Sequence, residues 1–452
     1  MMTPMPTQIE GAAFLAARST ALLADEPRVG KTGAALLAMT RLAMTRLAHR
    51  DVRVLIVTTA SGRAVWRRAV KDWLDLDAAV FSVDSFLRAI QIISWDQVRQ
   101  TGAYAALVDR KFDVAILDED HRAKNPDTKT AQAVYGKFNK WGDRVAKGLV
   151  SDIPRVWHLS GTPCPHDLGD TWCRLRSSAP HLLAANDEKG WPNVTSFEAF
   201  RNRYCVMRPK KLSAWRTIMV VMGGKNEAEL RERMAGWMLR RTQKDVGIRP
   251  PVHELMPLIV SAAQRREIAT DKQAAEIMEA IDNGDTQSLE MDLGPLRRIT
   301  GRIKAEAIVV AAKEWLADNP GDKLVLSYYH REVGDLLEEG LRDYGLRRID
   351  GSTHSRDRED AERTFRENKF CRLFLAQIEA AGEAIDLSAA AELWFAETSF
   401  SPKSMKQMAA RISNVNQKRN TFVKVAYIEG SVDEAIQASL MRLWKSIKEV
   451  VA

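Results

Sequence analysis

Cysteine is scarce in this sequence: four in 452 residues, Cys164, Cys173, Cys205 and Cys371, with no C-x-x-C pair among them. A disulfide framework or a finger-type zinc site therefore has little support. Cys164, His166 and Cys173 form the one group with metal-ligating chemistry, and it lacks a fourth ligand, so the thiols read as reduced. Long apolar runs are also missing. Nothing approaches the roughly 20 residues that cross a bilayer, and Glu10 and Arg18 interrupt the N-terminal segment where a signal peptide would carry its apolar core. No membrane association is expected, and the expected compartment is the cytoplasm. Acid is the scarcer charge, 59 Asp and Glu against 67 Lys and Arg, a net +8. That balance suits a polyanionic partner and equally a well-solvated surface. With 45% hydrophobic residues the chain can bury more than one core, and its length favours two or three units.

What is present begins at residue 21. A short apolar run, 21–24, leads through Asp25-Glu26-Pro27-Arg28-Val29 into Gly30-Lys31-Thr32 and then an Ala/Leu-rich helical pattern. Glycine lets a chain curl around phosphate oxygens, helix N-terminal amides attract the anion, lysine adds a point charge and threonine can ligate magnesium. Downstream, the buried-strand pattern Phe112-Asp113-Val114-Ala115-Ile116-Leu117 ends in Asp118-Glu119-Asp120-His121. An acidic pair at a strand's C-terminal end suits magnesium binding and water activation, so Lys31, Thr32, Asp118 and Glu119 read as one triphosphate site.

Short β-branched runs alternate with helical patterns in two stretches, the signature of parallel sheets covered by helices. Strands are expected at 21–24, 52–58, 112–117 and 155–159, then at 323–327, 347–350, 372–376, 392–396 and 422–427. Between the stretches the pattern is mostly helical, broken at Gly223-Gly224, Pro250-Pro251 and Asn283-Gly284-Asp285. The expected division is 1–205, a connecting segment 206–300, and 301–452. An exact five-residue repeat, Leu37 to Arg41 and Leu42 to Arg46, turns its copies to different faces of a helix, and reads as a helix extension.

Further motifs appear in a fixed order: Pro6-Thr7-Gln8; Val54 to Thr59 with Trp66-Arg67; Leu159-Ser160-Gly161-Thr162-Pro163; and Met238-Leu239-Arg240-Arg241-Thr242-Gln243-Lys244-Asp245-Val246. They continue with Lys323 to His330, Ile349-Asp350-Gly351-Ser352-Thr353 through Arg358, Ala380 to Leu387, Gln407-Met408-Ala409-Ala410-Arg411, and the tail Ser431 to Ile436. With them the chain resembles helicase superfamily two, and within it the Swi/Snf-type DNA translocases, including short phage and bacterial members. The Leu239 to Val246 run is the part of the resemblance that separates it from RNA helicases.

The resemblance implies an α/β fold of two tandem RecA-like parallel-sheet lobes with a helical insertion between them, working as a monomer on DNA, duplex by preference, with ATP and magnesium. It implies that Gln8 reads adenine, that Gly30, Lys31, Thr32, Gly382 and Asp386 hold nucleotide, and that Thr32 and Asp118 take magnesium, Asp118 through water. Glu119 orients or deprotonates the attacking water, Arg411 stabilises the transferred phosphoryl group, and His121, Ser160, Thr162 and Gln407 couple nucleotide state to lobe position. ATP closes the lobes and hydrolysis reopens them, so that they step along one phosphate backbone. Thr59, Thr353 and the cluster Arg208, Lys210 and Lys211, near Arg201, Arg203, Tyr204, Trp215 and Arg216, are the expected DNA contacts; Arg297 to Lys304 is a second basic stretch. Core packing is the expected role of Trp66, Trp157 and Trp394.

Three positions depart from the family pattern. Asn414 stands where a second arginine follows Arg411, leaving Lys418 or Arg419 to substitute or hydrolysis slow; Arg28 stands where many relatives have glycine; Glu383 and Ala384 replace a glycine-rich segment. The rival readings are an RNA helicase of the same superfamily and a DNA-binding ATP switch with little turnover, and a protein partner of unidentified kind is compatible with either.

Overall fold

The computed structural model describes residues 2–46, 52–80, 89–164, 167–213, 216–268, 294–381, 385–399, 402–414 and 417–430, with 433, 434 and 437 of the tail. The chain divides into two units, Met1–Val246 and Gly247–Ala452.

Seven parallel strands make the sheet of the first unit, in the order β11-β1-β8-β5-β2-β4-β3. They are β1 (Thr20–Leu23), β2 (Val54–Thr58), β3 (Ala79–Val80), β4 (Ile90–Ser94), β5 (Val114–Asp118), β8 (Arg155–Leu159) and β11 (Met238–Leu239). β2 and β4 are buried along their whole length, because helices cover both faces of the sheet and leave no solvent side for polar alternation. On one face Ala34, Leu36, Val70, Trp66 and Trp157 pack with the helices Pro6–Ala16, Lys31–Arg46 and Gly62–Leu74. On the other, Trp172, Phe200, Tyr204 and Trp237 join Tyr135 and Leu117. A small separate hairpin, β6 (Lys137–Phe138) and β7 (Arg144–Ala146), lies between β5 and β8 in chain order.

The second unit carries six parallel strands in the order β12-β17-β16-β13-β15-β14. These are β12 (Val252–Leu258), β13 (Leu324–Tyr328), β14 (Leu346–Ile349), β15 (Leu373–Gln377), β16 (Glu392–Phe395) and β17 (Phe422–Ile428). The 25-residue helix Gly294–Asp318 packs through Ala305, Ile308, Ala312 and Leu316 on one face of this sheet, and Phe365, Met405 and Met408 cover the other. Two sheets of this kind, each with helices on both faces, are the tandem RecA-like arrangement.

The described residues of the span 206–300 hold strands as well as helices. The span holds most of an antiparallel hairpin, β9 (Cys205–Ser213) with β10 (Arg216–Gly224), and gives β11 to the first sheet and β12 to the second. A two-residue strand such as β11 has no period to read, and β12 is an edge strand with mixed exposure that contains Pro257.

Candidate active site

β1, β8 and β5 are adjacent in the sheet, so the loops leaving their C-terminal ends are neighbours. Ligands of open parallel sheets gather at such ends. The loop after β1 turns at Arg28, φ 72°, and Gly30, φ 105°, before the helix Lys31–Arg46 starts. A Cβ at Gly30 would lie 2.7 Å from Gln8 Nε2, so glycine is what lets the loop close under the Gln8 side chain. Gln8 is buried, accepts from the Met5 amide at 2.8 Å and donates to the Gly30 carbonyl at 3.5 Å. Lys31 Nζ donates to the carbonyls of Asp25 (2.7 Å) and Glu26 (3.2 Å), which holds the ammonium inside the loop.

The Leu239 to Val246 run is the second wall of this loop. Backbone pairing continues beyond β1 and β11, with Ala24 N donating to Leu239 O (2.7 Å) and Glu26 N to Arg241 O (2.9 Å). Arg241 Nε donates to Asp25 Oδ1 at 3.1 Å, and its guanidinium also reaches the Thr7 carbonyl and Glu10. Gln243 bonds Glu26 Oε2 (2.9 Å) and the Pro27 carbonyl (3.1 Å). Asp25 is wholly buried, so its charge depends on Arg241. Both residues lie in sequence motifs, but nothing in those motifs pairs Asp25 with Arg241.

At the end of β5, Asp118 Oδ2 accepts from Thr58 Oγ1 and Trp66 Nε1, both at 2.8 Å. Trp66 is thus more than core packing. Burial, then the neighbouring Glu119 charge, pushes the Asp118 carboxyl up to about 6 against the pull of Trp66, Thr58 and Lys31. The site is short of positive charge, which a divalent cation would supply. Glu119 sits in the left-handed region, φ 55°, and its Oε2 lies 3.1 Å from His121 Nδ1. The same ring nitrogen lies 3.2 Å from Ser160 Oγ, in the loop after β8, and Ser160 Oγ accepts from the Thr162 amide at 3.3 Å. A Cβ at Gly161 would approach Pro27 to 3.2 Å and Lys31 Nζ to 3.5 Å. Lys31, Asp118, Glu119, His121, Ser160 and Thr162 are therefore one constellation, and Thr162 Oγ1 is buried without a hydrogen-bond partner.

Behind it lies a buried cluster that sequence reasoning missed. Asp120 Oδ2 is 2.9 Å from His158 Nδ1, Asp120 Oδ1 faces Arg174 Nη1 at 3.2 Å, and Arg174 Nη2 donates to the Pro163 carbonyl at 2.9 Å. Arg174 is on the helix Trp172–Ser178, whose Cys173 Sγ also contacts the Lys124 carbonyl at 3.1 Å. One helix turn thus ties the DEDH loop to the Ser160–Pro163 loop. Burial lowers the affinity of His158 for a proton; burial also works against the Arg174 charge, but Asp120 together with Tyr135, Cys164 and Asp170 more than offsets it and holds the guanidinium's proton affinity above its ordinary value. The cluster is accordingly one ion pair with a neutral histidine.

The residues fit a magnesium nucleotide. Thr32 and Asp118 are hard oxygen donors, and magnesium needs only one or two protein ligands beside phosphates; among the described residues no larger group of His, Cys, Asp and Glu has metal-binding geometry. His166 lies outside the described residues, and burial pushes the Cys164 thiol up to about 12, away from the thiolate that a metal ligand needs.

Other expected residues fall elsewhere. Thr59 accepts from the Gly62 amide at 2.9 Å and so holds the start of the helix Gly62–Leu74. Arg208 is exposed on β9, which also carries Lys210 and Lys211; Arg203 and Tyr204, read with them, are instead bound to Glu229 at 3.0 and 2.7 Å. Trp215 lies outside the described residues.

In the second unit Thr353 closes a turn with Asp350, accepting from its amide at 2.9 Å, and Arg358 clamps that turn to the Ala380 carbonyl at 2.7 Å. Gly382, Glu383 and Ala384 lie outside the described residues; Asp386 accepts from the Ser388 amide at 3.1 Å. Gln407 is half-buried on the helix Pro402–Ala409, and the Arg411 carbonyl accepts from Leu387 N at 3.0 Å. Asn414 donates to Ser388 Oγ, and Arg419 is paired with Asp322 at 2.6 Å and bonded to the Ala389 carbonyl. Lys304, read as part of a basic DNA-facing stretch, is buried and paired with Asp433 at 3.1 Å.

A P-loop site at the strand ends of a RecA-like sheet, with the Leu-Arg-Arg-Thr strand beside it, defines the Swi/Snf class of superfamily-two proteins. The sequence matches the SNF2-related domain over residues 7–299 and the helicase conserved C-terminal domain over 306–416, and the chain belongs to the SNF2-related family. It is 27% identical over 95% of its length to 59% of the SWI/SNF-related matrix-associated actin-dependent regulator of chromatin subfamily A-like protein 1 homolog of Caenorhabditis elegans. Against the human DNA annealing helicase and endonuclease ZRANB3 it is 23% identical, over 97% of this chain and 39% of that protein. The chain thus spans about two-fifths to three-fifths of the length of these relatives. The Sulfolobus solfataricus SWI2/SNF2 ATPase core in complex with dsDNA superposes with a TM-score of 0.44 at 18% identity, covering 99% of this chain and 93% of that one.

Proposed function

We propose that this chain is an ATP- and magnesium-dependent DNA translocase that couples hydrolysis to movement on, or remodelling of, duplex DNA. The observation that carries the hydrolytic half is the meeting of Lys31, Asp118, Glu119 and Ser160 at three adjacent strand ends. The amides opening the helix Lys31–Arg46, with Lys31, would bind the β and γ phosphates, and Gln8 would face the base. Thr32 and Asp118 would hold magnesium, which supplies charge neutralisation between phosphate oxygens when bound. Glu119, held beside His121, orients a water and accepts its proton. His121 and Ser160 would report the state of that site to the loop ending at Pro163. The roles of Arg411, Gln407, Asp386 and Thr353, and of Arg208, Lys210 and Lys211 toward DNA, rest on the motifs. DNA as the polymer rests on the family and on what its relatives are named for; a cytoplasmic monomer belongs to the same proposal.

The test is steady-state ATP hydrolysis without nucleic acid and with single-stranded DNA, duplex DNA and RNA. Stimulation by duplex DNA, lowered about 10²- to 10⁴-fold by Glu119→Gln, is expected; stimulation by RNA alone would favour an RNA helicase. One observation favours a second reading: Asn414 is engaged with Ser388 and Arg419 with Asp322, so of the two cations that could replace the second arginine Arg419 is already paired and the role falls to Lys418, which is exposed. Nucleotide-dependent DNA affinity with negligible turnover would establish an ATP switch.

A further inference from the structure

The hairpin β6–β7 presents a tryptophan to solvent on a backbone that has little freedom to withdraw it. Trp141 is 68% exposed, and it is the one exposed tryptophan among the described residues. Its turn is closed by the Asn139 side chain, whose Oδ1 accepts from the amides of Trp141 and Asp143, both at 2.9 Å. Gly142, φ 91°, lies so close to the Thr195 carbonyl that a Cβ would approach it to 2.4 Å, and its own carbonyl accepts from Arg176 Nε at 2.6 Å. Phe138 packs edge-on against the buried Trp172 at 5.5 Å. Burying a tryptophan is favourable and exposing one is not, so a fixed turn that keeps it outside points to a partner.

The partner's chemistry follows from the surroundings. Residues 137–147 hold four cations, Lys137, Lys140, Arg144 and Lys147, against the single acid Asp143, and all five side chains are exposed. Lys140 Nζ lies 4.8 Å from the centre of the Trp141 ring. A flat aromatic face with one cation at its side, on a hairpin rich in cations, fits a chain that alternates π surfaces with phosphates, and only unpaired bases offer their faces. The hairpin leads into the start of β8, whereas the P-loop, the DEDH loop and Ser160 lie at the strand ends, so this surface is separate from the nucleotide site. We propose that the Trp141 hairpin is a second nucleic-acid contact, taking a single-stranded DNA segment with one base stacked on Trp141 and phosphates on Lys137 and Lys140. This rests on the DNA reading and extends it from the tracked duplex to an unpaired strand.

The test is fluorescence anisotropy of labelled dT20, and of a duplex of equal length, with the full chain and without nucleotide. Trp141→Ala is expected to weaken dT20 binding about 5- to 150-fold, Trp141→Phe to retain most of it, and the duplex affinity to move less than about 2-fold. Lys137→Ala with Lys140→Ala is expected to reduce the salt slope for dT20 by about 1.4, near 0.7 per phosphate. Because the ring is exposed, the melting temperature of Trp141→Ala serves as the folding control and should not move. No dT20 binding by the wild-type chain, or an affinity unchanged by Trp141→Ala, overturns the inference. So does a poly-Glu peptide that loses affinity in Trp141→Ala as much as dT20 does, which would reassign the hairpin to an acidic protein partner. Duplex-stimulated hydrolysis is decided separately and should be unchanged in these variants.

Discussion

Removing the Arg174 guanidinium should be far costlier than removing both charges of its pair. Arg174 and Asp120 are each 1% exposed, and the pair sits 3.2 Å apart beside a neutral His158. Truncating one partner of a buried pair leaves a charge without compensation and costs about 3–5 kcal/mol, whereas replacing both by groups of similar shape is often neutral. Arg174→Met leaves Asp120 with only His158 and a distant Tyr135 hydroxyl, so a loss of about 3–5 kcal/mol is expected. At about 2–4 °C per kcal/mol for a unit of this size, that is a drop of roughly 6–20 °C in the melting transition of residues 1–246. Asp120→Asn keeps a hydrogen bond to His158, so the double variant should recover about 2 kcal/mol or more of that loss. The assay is a double-mutant cycle by urea denaturation, following tryptophan fluorescence. In the stable double variant the DEDH and Ser160 loops have lost their common tie, so turnover should fall while nucleotide affinity holds. Additive losses in the cycle, or an Arg174→Met cost below about 1 kcal/mol, would refute the reasoning.

Arg241→Ala should lower stability by a similar amount, about 3–5 kcal/mol, and weaken binding of a fluorescent ATP analogue, because it strands buried Asp25 at the foot of the P-loop; Arg241→Lys should recover only part, lacking the fork that also reaches Thr7. Lys111 is exposed with φ 48°, so Lys111→Gly should raise stability by about 0.5–1 kcal/mol in the same urea assay, the relieved left-handed strain exceeding the added freedom of the unfolded chain. Asn414→Arg, which breaks the amide contact with Ser388, should raise duplex-stimulated turnover at least about 10-fold if the missing charge limits hydrolysis, and an unchanged rate would show that this charge is not limiting.

The strands that carry the site were legible because their signals are strong. β1 and β5 are mostly apolar runs leading into acids, β8 is a shorter buried run leading into Ser160, and each falls within about two residues of its expected place. The strands that were missed lack such a signal. β4 contains Gln91, buried at 1% exposure in the middle of an apolar strand, and β11 is two residues long and exists only because it pairs with β1. The first-unit nucleotide constellation was legible for the same reason, as its residues follow one another at strand ends. The partners of those residues were not, since Trp66, Arg241 and Arg174 lie 52, 216 and 54 residues from Asp118, Asp25 and Asp120.

Arginine is where sequence and structure part most clearly, and the physics of its side chain explains why. A guanidinium has five donors in a rigid fork, so it can join two loops at once, and it keeps its charge when buried beside a carboxylate. Arg241 joins Asp25 to the Thr7 segment, Arg174 joins Asp120 to Pro163, and Arg358 joins the Asp350–Thr353 turn to Ala380. Each bridges two of the motifs whose order identified the family. A basic residue counted from sequence is credited to the surface and to a polyanion; here Arg174 and Arg241 are buried and Arg358 half-buried, each holding two loops together. The net +8 is therefore a poor guide to DNA contact, and the better guide is a cation that remains exposed beside an aromatic face, as Lys140 does at Trp141.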